Sequence, residues 1–181
     1  MNLANKLTLG RIFLVPIFMF FLLVKIPYGE YIAAGIFILA ALTDSLDGYI
    51  ARSRNQITKF GKFMDPLADK LLVSAALISL VEMDKLSAWV VVVIVAREFA
   101  ITGLRVLAAS EGITIAANWW GKIKTITQIV AIVALLLNNY PFSLINFPFD
   151  RISVALAVIF TIISGVDYLY INKEVFLSSN K

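Results

Sequence analysis

Apolar residues fall into six long runs that follow one another along the whole chain. Short clusters of polar, charged or helix-breaking residues separate these runs, as at Pro27 to Gly29 and at Asn138 to Pro141. An α-helix needs about 20 apolar residues to cross the roughly 30 Å hydrocarbon layer of a bilayer. The pattern therefore predicts six transmembrane helices, at residues 7–25, 30–54, 61–82, 86–109, 121–139 and 149–171.

The composition is also that of a membrane protein. Of the 181 residues, 60% are hydrophobic and only 15% are charged, whereas a typical soluble domain has about 25% charged residues. The first apolar run is long, and no small-residue cleavage site precedes Tyr28, so we expect it to be retained rather than removed as a signal peptide. We predict an all-α integral membrane protein in which residues 1–181 form a single membrane-embedded domain.

Basic residues are distributed unevenly between the two sets of predicted loops. Six spans place both termini on one side of the membrane, and that side would hold Lys6, Arg11, Arg52, Arg54, Lys59, Lys62, Arg105, Lys122, Lys124, Lys173 and Lys181. The other side would hold Lys25, Lys85 and Arg151. The excess predicts a multi-pass protein of the cytoplasmic membrane with both termini in the cytoplasm. Because basic residues are scattered between apolar runs, the net charge of +4 favours contact with anionic membrane lipids over nucleic acid.

The chain contains neither cysteine nor histidine, which excludes disulfides, thiol nucleophiles, imidazole bases and zinc sites built from those residues. Four aspartates instead form two helix-face pairs, because Asp44 and Asp47 are three residues apart and Asp65 and Asp69 are four apart. Unpaired carboxylates within a membrane would repel one another, so we expect divalent cations between them. Oxygen ligands favour Mg²⁺ or Mn²⁺, and two such ions commonly act together on phosphoryl groups.

Residues beside the aspartates fit a bulky ligand that carries phosphate. Gly48, Ala51 and Gly61 lie on the same predicted helix faces and present almost no side chain, while Arg52 offers a guanidinium and Thr58 a hydroxyl. Two other interpretations stay open. The small residues can simply allow close helix packing while the acids pair with nearby cations. Alternatively, the acids can line the ion path of an ion-coupled transporter.

The acidic segment has a recognisable spacing, Asp44-x2-Asp47-Gly48-x2-Ala51-Arg52-x8-Gly61-x3-Asp65-x3-Asp69. It resembles the signature of the CDP-alcohol phosphotransferase family at all eight fixed positions. The resemblance implies that family's six-helix membrane fold, with the whole chain as one catalytic domain, usually in a homodimer. It also implies an active site that opens to the cytoplasmic side and holds two divalent cations on four aspartates.

The resemblance also assigns roles to individual residues. Asp44, Asp47 and Asp65 look like metal ligands, and Asp69 looks like both a ligand and the base that takes the proton of the acceptor hydroxyl. Gly48, Arg52, Thr58 and Gly61 match positions that bind the CDP-linked donor. The segment from Asn5 to Arg11 resembles the N-terminal element of the family, in which the equivalents of Asn5 and Thr8 approach the nucleotide.

Longer segments narrow the expected activity. Residues 60–70, 97–105, 121–125 and 164–168 resemble the bacterial phosphatidylglycerophosphate synthases of this family. That resemblance implies transfer of the phosphatidyl group of CDP-diacylglycerol to sn-glycerol 3-phosphate, giving phosphatidylglycerophosphate and CMP. The shorter signature alone leaves inositol phosphate, serine and phosphatidylglycerol open as acceptors.

A phosphorylated acceptor needs cations of its own. Arg97 and Arg105 are eight residues apart and share a helix face, so they could line a basic pocket with Lys122 and Lys124. The alternative is that the two lysines extend to lipid headgroups and that Arg97 pairs with Glu98 or another interior carboxylate.

Overall fold

The described part of the chain is helical and contains no β-strand. The computed structural model describes residues 3–53, 59–110, 113, 115 and 118–173, with side chains at 7–43, 64, 66–109, 113, 115 and 118–173. Its α-helices are α1 (Leu3–Leu23), α2 (Gly29–Ser53), α3 (Lys59–Glu82), α4 (Ala88–Ser110), α5 (Trp119–Leu136) and α6 (Phe149–Ile171). Each boundary lies within four residues of the predicted one. The prediction of an all-α protein with six long helices is therefore confirmed.

The helices differ in how apolar they are. Among the described residues, α5 and α6 are long and apolar enough to cross a membrane, while α1 and α2 contain shorter apolar stretches at Leu7–Leu23 and Gly29–Thr43. Charged residues interrupt the other two helices, as Arg97, Glu98 and Arg105 do in α4. The described part of the chain thus has two candidate spans by length and composition, and the count of six spans stays a prediction.

Large apolar side chains also cover the outside of the helices. Exposed examples recur at helical spacing in α1, α4 and α6, and they include Phe13, Ile17, Phe20, Val92, Phe99, Val106, Ile159, Ile162, Ile163 and Val166. Water-soluble proteins rarely expose continuous apolar surfaces of this kind. These helix faces are therefore suited to contact with lipid hydrocarbon.

The first of two compact units contains Met1–Leu86 and Leu135–Leu137. In this unit α1 packs against both α2 and α3, and those two helices also contact each other. The rings of Phe18 and Phe37 lie 6.0 Å apart between their centroids. Many of the other buried positions of α2 and α3 carry alanine, at Ala33, Ala34, Ala40, Ala68, Ala75 and Ala76. Such residues allow helix backbones to approach closely.

The turn that leads into α2 is tightly closed. The Gly29 N–H donates to the Ile26 carbonyl at 2.9 Å, and a Cβ atom at Gly29 would overlap the backbone carbonyl oxygen of Phe21. Glu30, in the first turn of α2, forms an ion pair of 2.7 Å with Lys85, just beyond the end of α3. A carboxylate at this position also interacts favourably with the positive end of the helix dipole.

The second compact unit contains Ser87–Ala134 and Asn138–Lys181. Here α4 packs against α6, and a buried apolar cluster joins Ile101, Leu104 and Ala108 with Tyr168. A short 3₁₀ helix (Phe142–Ile145) precedes α6. Asn139 fastens this connection, because its side chain donates to the Phe147 carbonyl at 2.7 Å and accepts the Asp150 N–H at 3.1 Å. The second bond satisfies a backbone donor in the first turn of α6.

The crowded position of Gly29 generates a stability prediction. Gly29→Ala should lower the free energy of unfolding by roughly 1–3 kcal/mol, because the new methyl group meets a backbone atom that cannot move alone. Gly35→Ala is the matched control in the same helix, since a Cβ there has no neighbour within 4 Å. It should be neutral or stabilising by about 1 kcal/mol. Unfolding in detergent measures both, and equal effects would contradict the argument.

Candidate functional site

The aspartates predicted to bind metal lie in two helices that contact each other in the first unit. Asp44 and Asp47 are in α2, while Asp65 and Asp69 are in α3. Because both helices are continuous at these positions, each pair occupies one helix face. The Asp69 side chain is half-buried. The side chains of the other three lie outside the described residues, so their roles as ligands stay predictions.

Helical register relates these positions to the buried faces of the same helices. In α2 the buried positions Ala33, Phe37 and Ala40 are spaced by four and three residues, and positions 44 and 47 continue that register. In α3 the buried positions Ala68, Leu72 and Ala76 share a face with positions 65 and 69. The aspartate positions therefore lie on the same helix faces as these buried residues. No group of three acidic residues forms a metal site among the side chains that the structure describes.

Of the residues predicted to bind the CDP-linked donor, one has a described side chain. Thr8, in α1, is completely buried. Thr58 lies outside the described residues, and at Asn5, Gly48, Arg52 and Gly61 the structure describes only the helical backbone. These assignments stay predictions.

Arg11, three residues after Thr8 in α1, is also buried, with only 1% of its surface exposed. The loop-charge pattern counts Arg11 among the cations of the predicted cytoplasmic side and says nothing of its burial, and the structure shows that it is enclosed. A buried guanidinium requires polar or anionic surroundings. The Thr8–Arg11 face of α1 is therefore polar and enclosed.

In the second unit, a carboxylate on α4 pairs with two of the predicted acceptor-binding cations. Glu98 Oε1 accepts a hydrogen bond from Lys124 Nζ of α5 and lies 3.3 Å from Nη1 of Arg97. The Lys124 side chain is only 5% exposed. The second Nη of Arg97 donates to Ser164 Oγ of α6 at 2.5 Å. Three helices thus contribute to one network of charged and polar side chains.

Two glycines bring helices close to Arg97. A Cβ at Gly165 of α6 would lie 3.2 Å from Arg97 Cγ, which is closer than most real Cβ contacts. A Cβ at Gly121 of α5 would lie 4.0 Å from Nη2 of Arg97 and 3.9 Å from Ser164 Oγ. The stem of Arg97 is therefore held tightly against α6, and its head lies beside the start of α5.

Arg105 and Lys122 have different surroundings. Arg105 Nε donates to the Tyr168 hydroxyl at 2.7 Å, and the guanidinium lies 5.3 Å from the centroid of that ring. Lys122 lies 4.8 Å from the centroid of the exposed Trp119 ring. Arg105 and Lys122 are themselves exposed, so solvent or a ligand can reach both cations.

Asn118 caps the N-terminal end of α5. Its side chain donates to Asp167 of α6, and its Oδ1 accepts the Trp120 N–H, as an N-cap residue does. The contact fixes the first turn of α5, which is the turn that carries Gly121 and leads to Lys124.

Two buried donors of this unit lack hydrogen-bond partners within the described part of the chain. They are Nε of Arg97 and Nε2 of Gln128, whose residue is 3% exposed. Gln128 lies one helical turn after Lys124 and so shares its face of α5. Buried donors are usually satisfied, and a polar ligand in this region would satisfy such groups.

The structure thus brings Arg97, Arg105 and Lys124 into polar contacts within one unit, while Lys122 lies over a surface ring. Pairing of Arg97 with Glu98 agrees with the alternative interpretation, and binding of acceptor phosphate stays a prediction. Sequence reasoning did not identify Ser164 or Tyr168 as contributors. Ser164 and Tyr168 are four residues apart and so share a helix face, and this spacing within the segment 164–168 could have indicated them.

Comparisons with known proteins cover almost the whole chain. Residues 1–163 match the sequence profile of the family described as CDP-alcohol phosphatidyltransferase. A Bacillus subtilis (strain 168) protein named CDP-diacylglycerol–glycerol-3-phosphate 3-phosphatidyltransferase is 51% identical, over 99% of each chain. A Rickettsia prowazekii (strain Madrid E) protein of the same name is 35% identical, over 97% of each. A Mycobacterium tuberculosis (strain ATCC 25618 / H37Rv) protein named probable phosphatidylglycerophosphate synthase is 41% identical, over 93% of this chain and 80% of its own.

The shared carboxylate of Glu98 generates a second prediction. Glu98→Gln keeps the shape of the side chain but removes the charge that pairs with the buried Lys124 ammonium, so unfolding should become easier by roughly 1–3 kcal/mol. Glu82→Gln, at an exposed position in the last turn of α3, is the control and should change stability by less than about 0.5 kcal/mol. Thermal unfolding in detergent compares the two variants. Shifts of the same size would show that the Glu98 charge is not needed for folding.

Proposed function

Because the chain belongs to the CDP-alcohol phosphatidyltransferase family, we propose that it transfers the phosphatidyl group of CDP-diacylglycerol to sn-glycerol 3-phosphate. The products are phosphatidylglycerophosphate and CMP. The observation that carries this proposal is 51% identity, over 99% of both chains, to a relative whose name states both substrates. The proposed activity is therefore that of a phosphatidylglycerophosphate synthase.

Four carboxylates would hold the metal ions of the reaction. The family uses divalent metals, and a chain without histidine or cysteine offers them oxygen ligands. We assign Asp44, Asp47, Asp65 and Asp69 to two ions, Mg²⁺ or Mn²⁺, because helical register places each pair on one face of its helix and the two helices contact each other. When bound, such ions neutralise the charge that develops on the pyrophosphate of the donor.

The protein's own groups bind the donor and accept a proton. The donor would be bound by Asn5, Thr8, Gly48, Arg52, Thr58 and Gly61. The acceptor hydroxyl oxygen forms a bond to the phosphorus next to diacylglycerol, and the bond from that phosphorus to the CMP oxygen breaks. The hydroxyl proton passes to the carboxylate of Asp69. CMP leaves with the bonding electrons, so no covalent enzyme intermediate is needed.

The phosphate of the acceptor would bind to cations of the second unit. We assign Arg97, Arg105, Lys122 and Lys124 to this role. Arg105 and Lys122 are exposed and accessible, whereas Arg97 and Lys124 are held by Glu98. The unpartnered Nε of Arg97 supports a ligand in this region.

We propose that the protein lies in the cytoplasmic membrane with six spans and both termini in the cytoplasm. The exposed apolar faces of α1, α4 and α6 support contact with lipid. The uneven distribution of basic residues supports the orientation. We also propose a homodimer, by resemblance to the family.

The proposed activity predicts CMP release by purified protein in detergent. Release from CDP-diacylglycerol should occur with glycerol 3-phosphate and be at least about tenfold slower with serine, inositol phosphate or phosphatidylglycerol, because each lacks part of the acceptor's charge or shape. The assay supplies each acceptor in turn. Faster release with another acceptor would reassign the substrate. Absence of CMP with every acceptor would favour the alternative of an ion-coupled transporter, whose activity is measured as flux into sealed vesicles.

Two aspartate variants separate the proposed roles. Asp69→Asn removes the basic lone pair that a proton acceptor needs, so kcat should fall by roughly 100-fold or more while donor binding largely survives. Asp44→Asn weakens a metal ligand, so donor binding and activity should fall together, and added Mg²⁺ should restore part of both.

Metal occupancy must be measured in both variants, since Asp69 is also assigned as a ligand. A metal-loaded Asp69→Asn protein that turned over at nearly the wild-type rate would rule out Asp69 as the base. Wild-type metal content and donor affinity in Asp44→Asn would rule out Asp44 as a ligand.

A further inference from the structure

Tyr168 of α6 holds the guanidinium of Arg105 by two contacts. The hydroxyl accepts a hydrogen bond from Nε at 2.7 Å, and the ring lies beneath the charge, 5.3 Å from centroid to Cζ. The tyrosine is only 2% exposed and packs with Ile101 and Leu104. A buried phenol needs a polar partner for its hydroxyl, and Arg105 provides it. The tyrosine is therefore a rigid support for the arginine.

The contact uses only one side of the guanidinium. Arg105 is exposed, and its two Nη groups have no polar partner among the side chains that the structure describes. Those two groups form a planar fork that can donate two parallel hydrogen bonds to a phosphate. Because Nε is already fixed, the fork has less conformational freedom to lose when an anion binds.

Helix α6 supports a second arginine in the same way. Ser164, one turn before Tyr168, accepts from Arg97, and Arg97 lies two turns before Arg105 on α4. Two hydroxyls on one face of α6 thus meet two arginines on one face of α4. Hydrogen bonds to these two hydroxyls thus orient both guanidinium groups.

We propose that Tyr168 is a positioning residue that orients Arg105 toward the phosphate of the acceptor. The inference rests on the proposed function and adds to it a residue that does not touch the substrate. The hydroxyl acts through Arg105 alone, so its removal weakens acceptor binding and leaves the reaction of bound substrates unchanged.

Tyr168→Phe tests the proposal because it keeps the ring and removes the hydroxyl. The KM for glycerol 3-phosphate should rise about 3- to 10-fold, which is the order expected for the net effect of one typical hydrogen bond. The kcat and the KM for CDP-diacylglycerol should stay near their wild-type values. Tyr170→Phe, on the exposed side of the same helix, is the matched control and should change none of these constants.

Arg105→Ala completes a double-mutant cycle. The combined variant should have the same acceptor KM as Arg105→Ala alone, because Tyr168 has nothing left to orient. Additive effects would overturn the proposal, as would an unchanged KM in either single variant or a Tyr168→Phe protein that loses only thermal stability. Failure of the wild-type protein to release CMP with glycerol 3-phosphate would instead overturn the proposed function itself.

Discussion

A buried charge within an apolar helix needs an opposite charge or hydrogen-bond partners, and this requirement shapes the second unit. Arg97 and Lys124 both lie inside helices that are otherwise largely apolar, and one carboxylate, Glu98, serves the two of them. Leaving either cation unpaired would cost several kcal/mol. Glu98 therefore links α5 to α4 through Lys124, while the hydroxyls of Ser164 and Tyr168 accept hydrogen bonds from the arginines of α4 and link α6 to that helix.

The helices could be predicted because the thickness of a bilayer sets the length of an apolar run. Their ends were less certain, since polar residues can extend a helix beyond the hydrocarbon. Helix α1 begins at Leu3 rather than at residue 7, and α5 begins at Trp119 rather than at residue 121. Sequence therefore determines the number and class of these elements better than their first and last turns.

Partners of individual side chains could not be predicted in the same way. Lys124 and Glu98 are separated by 26 residues and Arg105 and Tyr168 by 63, so no local spacing connects them. The burial of Arg11 likewise depends on which face of α1 meets other helices, and a count of basic residues carries no such information. The aspartate motif is the reverse case, because spacing alone places each pair on a helix face while the ligand role of each carboxylate stays a prediction.

The pairing of charges in the second unit also bears on selectivity between acceptors. Among the described side chains, the cations predicted to bind the acceptor phosphate are Arg97, Arg105, Lys122 and Lys124, and Glu98 and Asp167 are carboxylates in contact with this part of the unit. Within this set of six described side chains, four positive and two negative groups leave a surplus of two positive charges. A phosphate monoester near neutral pH carries a charge of about −1.5 to −2. If the acceptor phosphate binds these cations as proposed, glycerol 3-phosphate would compensate the surplus of this set, whereas a zwitterion such as serine would leave it uncompensated.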